Sequence, residues 1–262
     1  MPTFYIEQFG CRATQADGAA LEHQLLRRGY TPSARHAADI VVVNTCTVTA
    51  AADAQARDAI RKIRAGNRAA QVVVTGCYAQ RAPEALAELP GVAWVVGNSH
   101  KSELPQIIEN LSLASASRAA DFVPAGLLQQ SSVANFPGSA KILTGAFTLQ
   151  PLLSAPVFGG EGNHTRPTLK IQDGCNSRCS YCVIPFVRGK SRSLPPETVV
   201  HEIKQLAASG VREIVLSGIN LGTYGRDLSQ RIAFGDLLRR ILDETPVERL
   251  RISSIEPMDV TS

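Results

Sequence analysis

The chain has 262 residues, 44% of them hydrophobic and 19% charged, which is enough for two domains that each bury a core. Its formal net charge of +4 is compatible with nucleic-acid binding but does not require it. No run of about eighteen apolar residues is present, so we expect no membrane span. The N-terminus lacks the basic and apolar regions of a signal peptide, which predicts a cytoplasmic protein with reduced or metal-bound cysteines.

The first part of the chain alternates predicted strands with predicted helices. We expect strands at residues 3–9, 39–44, 71–75 and 92–96, and helices at residues 14–28, 50–65, 82–88 and 101–111. Consecutive parallel strands need crossover helices between them. Residues 1–111 are therefore predicted to form an open parallel α/β sheet with helices on both faces.

Three cysteines each stand just beyond the carboxyl end of a predicted strand: Cys11, Cys46 and Cys77. In an open α/β sheet this edge is where ligands bind. Taken singly, each cysteine is typical of a small buried residue. Together they predict a metal site with three protein ligands, and a reactive cysteine pair is the alternative.

The rest of the chain predicts a linker and a second, smaller α/β domain. Residues 112–165 are poor in charge and rich in Ser, Gly and Pro, as in an interdomain linker, with a strand expected at residues 141–149. In the second domain, residues 166–262, we expect strands at 168–172, 212–217 and 249–254 and helices at 196–209 and 234–244. Three parallel strands leave an unpaired edge, which we interpret as a truncated catalytic domain.

A C-x3-C-x2-C loop, with Cys175, Cys179 and Cys182, follows the first strand of the second domain. A loop of this length can direct three thiolates to one point, as an iron–sulfur cluster requires, and it leaves one iron open. Zinc would take a fourth protein ligand, and the nearest histidine, His164, precedes the strand. The spacing therefore favours a cluster over zinc or structural cysteines.

Two further features surround this loop. A run of positive charge without an acid contains Arg178, Arg188, Lys190 and Arg192. Such a run usually forms a solvated loop, but beside a metal loop it also favours contact with phosphates. After the next strand, the glycines of the segment 218–222 allow the backbone to approach a small ligand.

These residues together resemble a known family. The cysteine loop with Tyr181 before its last cysteine, followed by a partial β/α barrel, resembles the radical S-adenosylmethionine enzymes. The N-terminal motifs resemble the first domain of the methylthiotransferases within that superfamily: Gly10-Cys11, Asn44-Thr45-Cys46-Thr47-Val48 and Thr75-Gly76-Cys77-Tyr78-Ala79-Gln80. Similar to that family as well are Asp173-Gly174-Cys175-Asn176, Ile184-Pro185 and Arg188-Gly189. The resemblance implies an N-terminal open parallel α/β sheet domain followed by an incomplete radical S-adenosylmethionine barrel.

The resemblance also implies the cofactors and their contacts. One [4Fe-4S] cluster would be held by Cys175, Cys179 and Cys182, with S-adenosylmethionine on its open iron, and a second by the N-terminal cysteines. Expected contacts with S-adenosylmethionine are Tyr181 at the adenine, Gly218 and Asn220 at the methionine part, and Ser254 and Glu256 near the ribose.

The implied activity is tRNA modification. Residues 188–193 and 253–257 are most similar to the branch that methylthiolates C2 of N6-threonylcarbamoyladenosine beside the anticodon. This implies a tRNA anticodon stem-loop, an electron donor such as flavodoxin or ferredoxin, and a sulfur donor as partners. The alternatives are the isopentenyladenosine and ribosomal-protein branches, a two-cluster electron-transfer protein, and an RNA-binding module whose metals only stabilise the fold.

Overall fold

A computed structural model describes residues 1–117, 140–147 and 166–259 of the chain. The described residues belong to two compact units. The first comprises Met1–Gly10 and Leu21–Gln150, and the second comprises Cys11–Ala20 and Pro151–Ser262. In the part of the chain that is described, no helix combines the length and the apolar character needed to cross a membrane.

The first unit contains a parallel sheet of six strands. They are β1 (Thr3–Gln8), β2 (Thr31–Pro32), β3 (Ile40–Thr45), β4 (Gln71–Gly76), β5 (Val92–Gly97) and β6 (Lys141–Leu143). The strand order is β2-β1-β3-β4-β5-β6, and each pairing is parallel. The predicted open parallel α/β sheet is confirmed.

Helices follow the strands in the alternating order that the sequence predicts. They are α1 (Arg12–Arg27), α2 (Ala50–Gly66), α3 (Cys77–Arg81), α4 (Pro83–Ala87) and α5 (Leu104–Ser117). The helix expected at residues 82–88 forms as α4, but the sequence did not predict α3, which begins directly at Cys77 and is separated from α4 by a break at Ala82. Proline disfavours a helical conformation in the residue before it, and Ala82 accordingly has φ −141°.

Both faces of the sheet are buried. On one face Val41 and Val72 pack with Ile60 of α2, and on the other Val42 packs with Leu25 of α1. Burying such a side chain contributes roughly 1.5–3 kcal/mol. The unbroken apolar runs of the strands are therefore explained by burial on both sides.

Two elements of the first unit reach into residues 112–165, for which the sequence predicts a linker. Helix α5 continues to Ser117, and β6 pairs with β5 as an edge strand of the first unit. The strand is shorter than the expected 141–149, since it ends at Leu143, and residues 148–149 lie outside the described ranges. β6 has only three residues, and the sequence around it has the composition of a linker, so composition did not assign it to the first unit. The Lys141 ammonium group also lies over the Trp94 ring, 5.2 Å from its centre.

The second unit has a three-stranded parallel sheet. It is formed by β7 (Thr168–Lys170), β10 (Glu213–Ser217) and β11 (Arg249–Ile252) in the order β11-β10-β7, while β8 (Gln172–Asp173) and β9 (Arg192–Ser193) form an antiparallel pair. Its helices are α6 (Ile184–Arg188), α7 (Pro196–Ala208) and α8 (Phe234–Glu244). The core joins Leu216 of β10 to Ile203 of α7 and Leu237 of α8.

The strand expected at residues 168–172 is divided at Ile171. The Ile171 N–H donates to the Ser217 carbonyl, and its own carbonyl accepts from Leu194 N–H. One residue thus hydrogen-bonds towards both sheets, and the chain changes direction there towards the cysteine loop.

Gly76, the last residue of β4, is predicted to tolerate no side chain. Its φ is +104°, and an added Cβ would lie 2.2 Å from the Thr45 carbonyl oxygen. We expect Gly76→Ala to lower the free energy of unfolding by more than about 1 kcal/mol, measured by urea denaturation. The matched control is Gly66→Ala in α2, where no atom lies within 4 Å of the added Cβ and stability should be unchanged or slightly raised. Equal effects of the two substitutions would contradict this account.

Candidate functional site

The C-x3-C-x2-C loop lies between β8 and α6 and is anchored by its own backbone. Cys175 N–H donates to the Gly189 carbonyl at 3.1 Å, and Cys182 N–H donates to the Cys179 carbonyl at 3.0 Å. Gly174 has φ +70°, and an added Cβ would lie 2.1 Å from the Lys190 carbonyl oxygen. All three cysteines carry free thiols; Cys179 is exposed and the other two are half-buried.

The sulfur of Cys175 has amide groups directed at it. Ser177 N–H lies 3.4 Å from the sulfur, and the side-chain amide of Asn220 lies 3.9 Å away. The Asn220 Oδ1 atom is buried and has no hydrogen-bond partner among the described residues. Amide donors around cysteine sulfur are a feature of iron–sulfur sites, and a buried oxygen without a protein partner could accept a hydrogen bond from a polar ligand. The residues present therefore fit a cluster with a polar cofactor beside it.

A buried glutamine, Gln172, connects the cysteine loop to the loop after β10. Its Oε1 accepts from the backbone N–H groups of Ile219 and Asn220 at 2.9 and 2.8 Å. Its Nε2 donates to the Gly174 carbonyl at 2.8 Å and to Ser191 Oγ at 2.9 Å. Sequence reasoning missed Gln172, which stands at the end of a predicted strand shortly before the cysteine loop.

A fully buried charge network underlies the loop. Arg188 Nη1 contacts both carboxylate oxygens of Asp173 at 2.9 and 3.0 Å, and Lys170 Nζ contacts the same carboxylate at 3.0 Å. Both cations also bind Asp17 of α1. Burial opposes ionisation of Asp173, yet Arg188 and Lys170 outweigh it and hold its pKa well below the usual value.

This network corrects the prediction of a solvated basic loop. Arg188 is 1% exposed and bound to two carboxylates, and Arg192 lies 3.9 Å from Asp173. Of the run, only Arg178 and Lys190 are exposed. The prediction was wrong for Arg188 because one of its acidic partners, Asp17, lies 171 positions away in the sequence.

Cys11 stands immediately before α1, in the second unit. Desolvation opposes ionisation of its thiol, but the Arg188 charge and hydrogen bonds from Thr14 and Ala13 outweigh it and lower the pKa. The Cys11 sulfur lies 3.6 Å from Thr14 Oγ1. The thiolate, which is the metal-binding and nucleophilic form, is favoured at this position.

Cys46 and Cys77 lie in the first unit, at the carboxyl ends of neighbouring strands. Thr45 of β3 pairs with Gly76 of β4, so both cysteines directly follow paired residues, and both are buried. Gly10 approaches Cys46 so closely that an added Cβ would lie 2.7 Å from its sulfur. The register of β3 and β4 therefore places these two cysteines at one edge of the sheet, where the sequence predicts them.

Across residues 1–117, 140–147 and 166–259, no group of three or more Cys, His, Asp or Glu side chains is placed to hold a single metal ion. The ligands of one zinc ion have sulfurs within roughly 4.6 Å of each other, twice the bond length. In a four-iron cluster each cysteine binds a different iron, so its ligands stand further apart. Cluster binding by the six cysteines stays a prediction.

The residues expected around S-adenosylmethionine lie on different loops. Gly218 contacts Gln172, and Asn220 lies beside Cys175. The Tyr181 side chain is 89% exposed. Exposed Ser254 and Glu256 follow β11, whose carboxyl end shares an edge with those of the parallel strands β7 and β10.

Comparison with known proteins agrees with this architecture. Residues 3–97 match the model of "Uncharacterized protein family UPF0004", and residues 169–259 match that of the Radical SAM superfamily. A solved structure of the radical S-adenosylmethionine methyltransferase TsrM from Kitasatospora setae, with cobalamin and a [4Fe-4S] cluster bound, superposes with a TM-score of 0.59 at 18% identity. The alignment covers 98% of this chain and 56% of that chain and shows a shared fold.

Relatives found by sequence comparison indicate which group of radical S-adenosylmethionine proteins this chain resembles. The threonylcarbamoyladenosine tRNA methylthiotransferase MtaB of Aquifex aeolicus is 39% identical over 97% of this chain and 56% of its own length. MtaB of Bacillus subtilis is 34% identical over 100% of this chain and 53% of its own length. The tRNA-2-methylthio-N(6)-dimethylallyladenosine synthase of Dictyoglomus thermophilum is 31% identical over 100% of this chain and 54% of its own length.

The fold and the cysteine loop define a radical S-adenosylmethionine protein with a preceding UPF0004 domain. Together with the relatives, they show that the chain belongs to the methylthiotransferase family of that superfamily. The chain spans about half the length of the curated relatives it matches.

The buried charge network predicts a large effect of removing one carboxylate. We expect Asp17→Asn to lower the free energy of unfolding of the metal-free chain by about 3–5 kcal/mol, because Lys170 and Arg188 lose a buried counter-charge. The measurement is urea denaturation monitored by circular dichroism. The control is Asp236→Asn, which removes an exposed pair with Arg239 and should cost less than about 1 kcal/mol. An Asp17→Asn effect as small as that of the control would contradict the role of the network.

Proposed function

We propose that this chain provides the cluster-bearing part of a tRNA methylthiotransferase acting on C2 of N6-threonylcarbamoyladenosine beside the anticodon. The observation that carries the proposal is the anchored cysteine loop, with the Asn220 amide directed at Cys175 and a buried polar atom left unmatched beside it. The family membership and the names of the relatives support the same reaction class.

The proposed cofactors are two [4Fe-4S] clusters and S-adenosylmethionine. Cys175, Cys179 and Cys182 would hold one cluster and leave one iron for S-adenosylmethionine. The second cluster would be held by the N-terminal cysteines Cys11, Cys46 and Cys77. When bound, these groups supply the radical and the sulfur that the reaction needs.

The chain's own residues position this chemistry rather than perform acid–base catalysis. The C2–H bond of adenine has no useful acidity, so a side-chain base could not remove its proton. Gln172 instead holds the loop of Gly218 and Asn220 against the cysteine loop through four hydrogen bonds. These two loops would bind the amino-acid part of S-adenosylmethionine, and exposed Tyr181 would lie against its adenine.

The proposed macromolecular substrate is the anticodon stem-loop of a tRNA. The exposed cations of the cysteine loop region, Arg178 and Lys190, suit contact with phosphates, and the exposed ring of Phe186 suits contact with a base. The choice of threonylcarbamoyladenosine rests on the names of the A. aeolicus and B. subtilis relatives. The D. thermophilum relative supports dimethylallyladenosine as the second candidate substrate.

The remaining partners follow from the reaction. A flavodoxin or ferredoxin would supply electrons, a separate donor would supply sulfur, and the reaction would take place in the cytoplasm with tRNA. A two-cluster electron-transfer protein would use the same cysteines, but it gives no reason for the hydrogen bonds that hold Asn220 beside Cys175.

The substrate is tested by mass spectrometry of tRNA nucleosides. We expect a strain lacking the gene to lose 2-methylthio-N6-threonylcarbamoyladenosine and to keep the unmethylthiolated nucleoside. The complete wild-type gene and a Ser180→Ala variant should restore the product, whereas Cys179→Ala should not. Loss of the dimethylallyl derivative instead would assign the second substrate, and an unchanged nucleoside profile would refute methylthiolation of tRNA.

Iron content tests the number of clusters. After anaerobic reconstitution with iron and sulfide, we expect about eight irons per chain, or two four-iron clusters. Replacing Cys175, Cys179 and Cys182 with alanine should leave about four, as should replacing the N-terminal trio. A wild-type value of about four, unaffected by one of the triple substitutions, would show that only one trio binds a cluster.

A further inference from the structure

The segment after β5 brings a buried asparagine to one of the candidate cluster ligands. Gly76 of β4 pairs with Gly97 of β5, so the residues that follow them, Cys77 and Asn98, stand side by side at the carboxyl edge of the sheet. The Asn98 side-chain amide donates to the Cys77 sulfur at 3.4 Å. Asn98 is only 8% exposed, so this contact is shielded from water.

The position of Asn98 is fixed by α3, the helix that Cys77 begins. Gln80 Oε1 accepts from the Ser99 backbone N–H at 3.0 Å. An added Cβ on Gly97 would lie 2.4 Å from the same oxygen, so Gln80 packs directly on the backbone before Asn98. Ser99 Oγ in turn accepts from Gly145 N–H at 3.1 Å. The asparagine amide is therefore directed at the sulfur by a bonded framework rather than by a mobile side chain.

The same segment contributes a buried cation. Lys101 is 5% exposed, and its Nζ donates to Asn44 Oδ1 at 2.9 Å. Asn44 lies two positions before Cys46, at the carboxyl end of β3. A positive charge shielded from solvent interacts strongly with any negative charge nearby, because the local dielectric is low.

We propose that Asn98 and Lys101 are positioning residues that raise the reduction potential of an iron–sulfur cluster ligated by Cys46 and Cys77. Reduction adds negative charge to a cluster and its thiolates. An N–H donor to a ligand sulfur and a buried cation both stabilise that added charge, which raises the potential. This inference rests on the proposed function, because it requires a cluster at the N-terminal cysteines.

The test uses the whole chain with Cys175, Cys179 and Cys182 replaced by alanine, so that only the N-terminal site can bind iron. Its midpoint potential is measured by redox titration with detection by electron paramagnetic resonance. We expect Asn98→Leu to lower the reduced-to-oxidised ratio at a fixed potential by roughly tenfold, a shift of about 59 mV for one electron. Asn98→Asp should lower it further because it also adds negative charge, and Lys101→Met should lower it in the same direction.

The matched control is Asn110→Asp, which adds the same charge further along the chain, on α5. Its effect on the ratio should be less than twofold. If Asn98→Leu and Lys101→Met also change the ratio by less than twofold, the inference is overturned. If the alanine background itself holds no cluster while the unchanged chain holds one, the proposed N-terminal cluster fails, and this result is distinct from an unshifted potential.

A spectroscopic signature separates this role from a merely structural one. Electron–nuclear double resonance of the reduced cluster should show an exchangeable proton coupled through the Cys77 sulfur. The coupling should vanish in Asn98→Leu and persist in Asn110→Asp. Retention of the same coupling in Asn98→Leu would contradict the assignment of the donor, whatever the variant's stability.

Discussion

An ionised carboxylate with almost no access to water organises the base of the cysteine loop. Asp173 is 5% exposed and is neutralised by Arg188 and Lys170, which also share Asp17. Buried ion pairs are poor sources of net stability, because desolvation offsets their attraction. Their contribution here is geometric: few arrangements satisfy every charge, which restricts the conformation of the loop that begins at Gly174.

A second constraint, close backbone packing, acts on the cysteines of the first unit. Gly10 touches the Cys46 side chain, and Gly76 packs on Thr45 with a positive φ. At both points a larger residue would displace a cysteine from the sheet edge. The cysteine loop thus depends on buried charge, whereas Cys46 and Cys77, at the carboxyl ends of parallel strands, depend on glycine.

Much of the fold could be predicted because the strands are marked by β-branched runs and the helices by apolar periodicity and by glycine or proline at their ends. The strand expected at residues 39–44 forms at Ile40–Thr45, and α8 has the predicted bounds, Phe234–Glu244. Hydrophobic periodicity depends on neighbours in sequence, which is why these elements were accessible. The strand expected at residues 141–149 forms only at Lys141–Leu143, and its place in the first sheet could not be predicted because its pairing partner, β5, is more than forty positions away.

For the candidate site, the sequence predicted which residues take part better than it predicted the burial and the partners of their side chains. Cysteine spacing indicated the loop, and the resemblance indicated Asn220. The burial of Arg188 and the bridging by Gln172 could not be predicted, since each depends on partners that only folding brings close. The positive charges in the sequence predicted a solvated loop, whereas the structure buries its central arginine, Arg188, in the core.

The central claim is that the loop of Cys175, Cys179 and Cys182 presents three thiolates and leaves one iron free for S-adenosylmethionine. The most direct test is the electron paramagnetic resonance spectrum of the reduced chain, reconstituted with iron and with Cys11, Cys46 and Cys77 replaced by alanine. We expect a [4Fe-4S] signal whose g-values change when S-adenosylmethionine is added. A cluster signal that stays the same with saturating S-adenosylmethionine, or no cluster at all, would contradict the account.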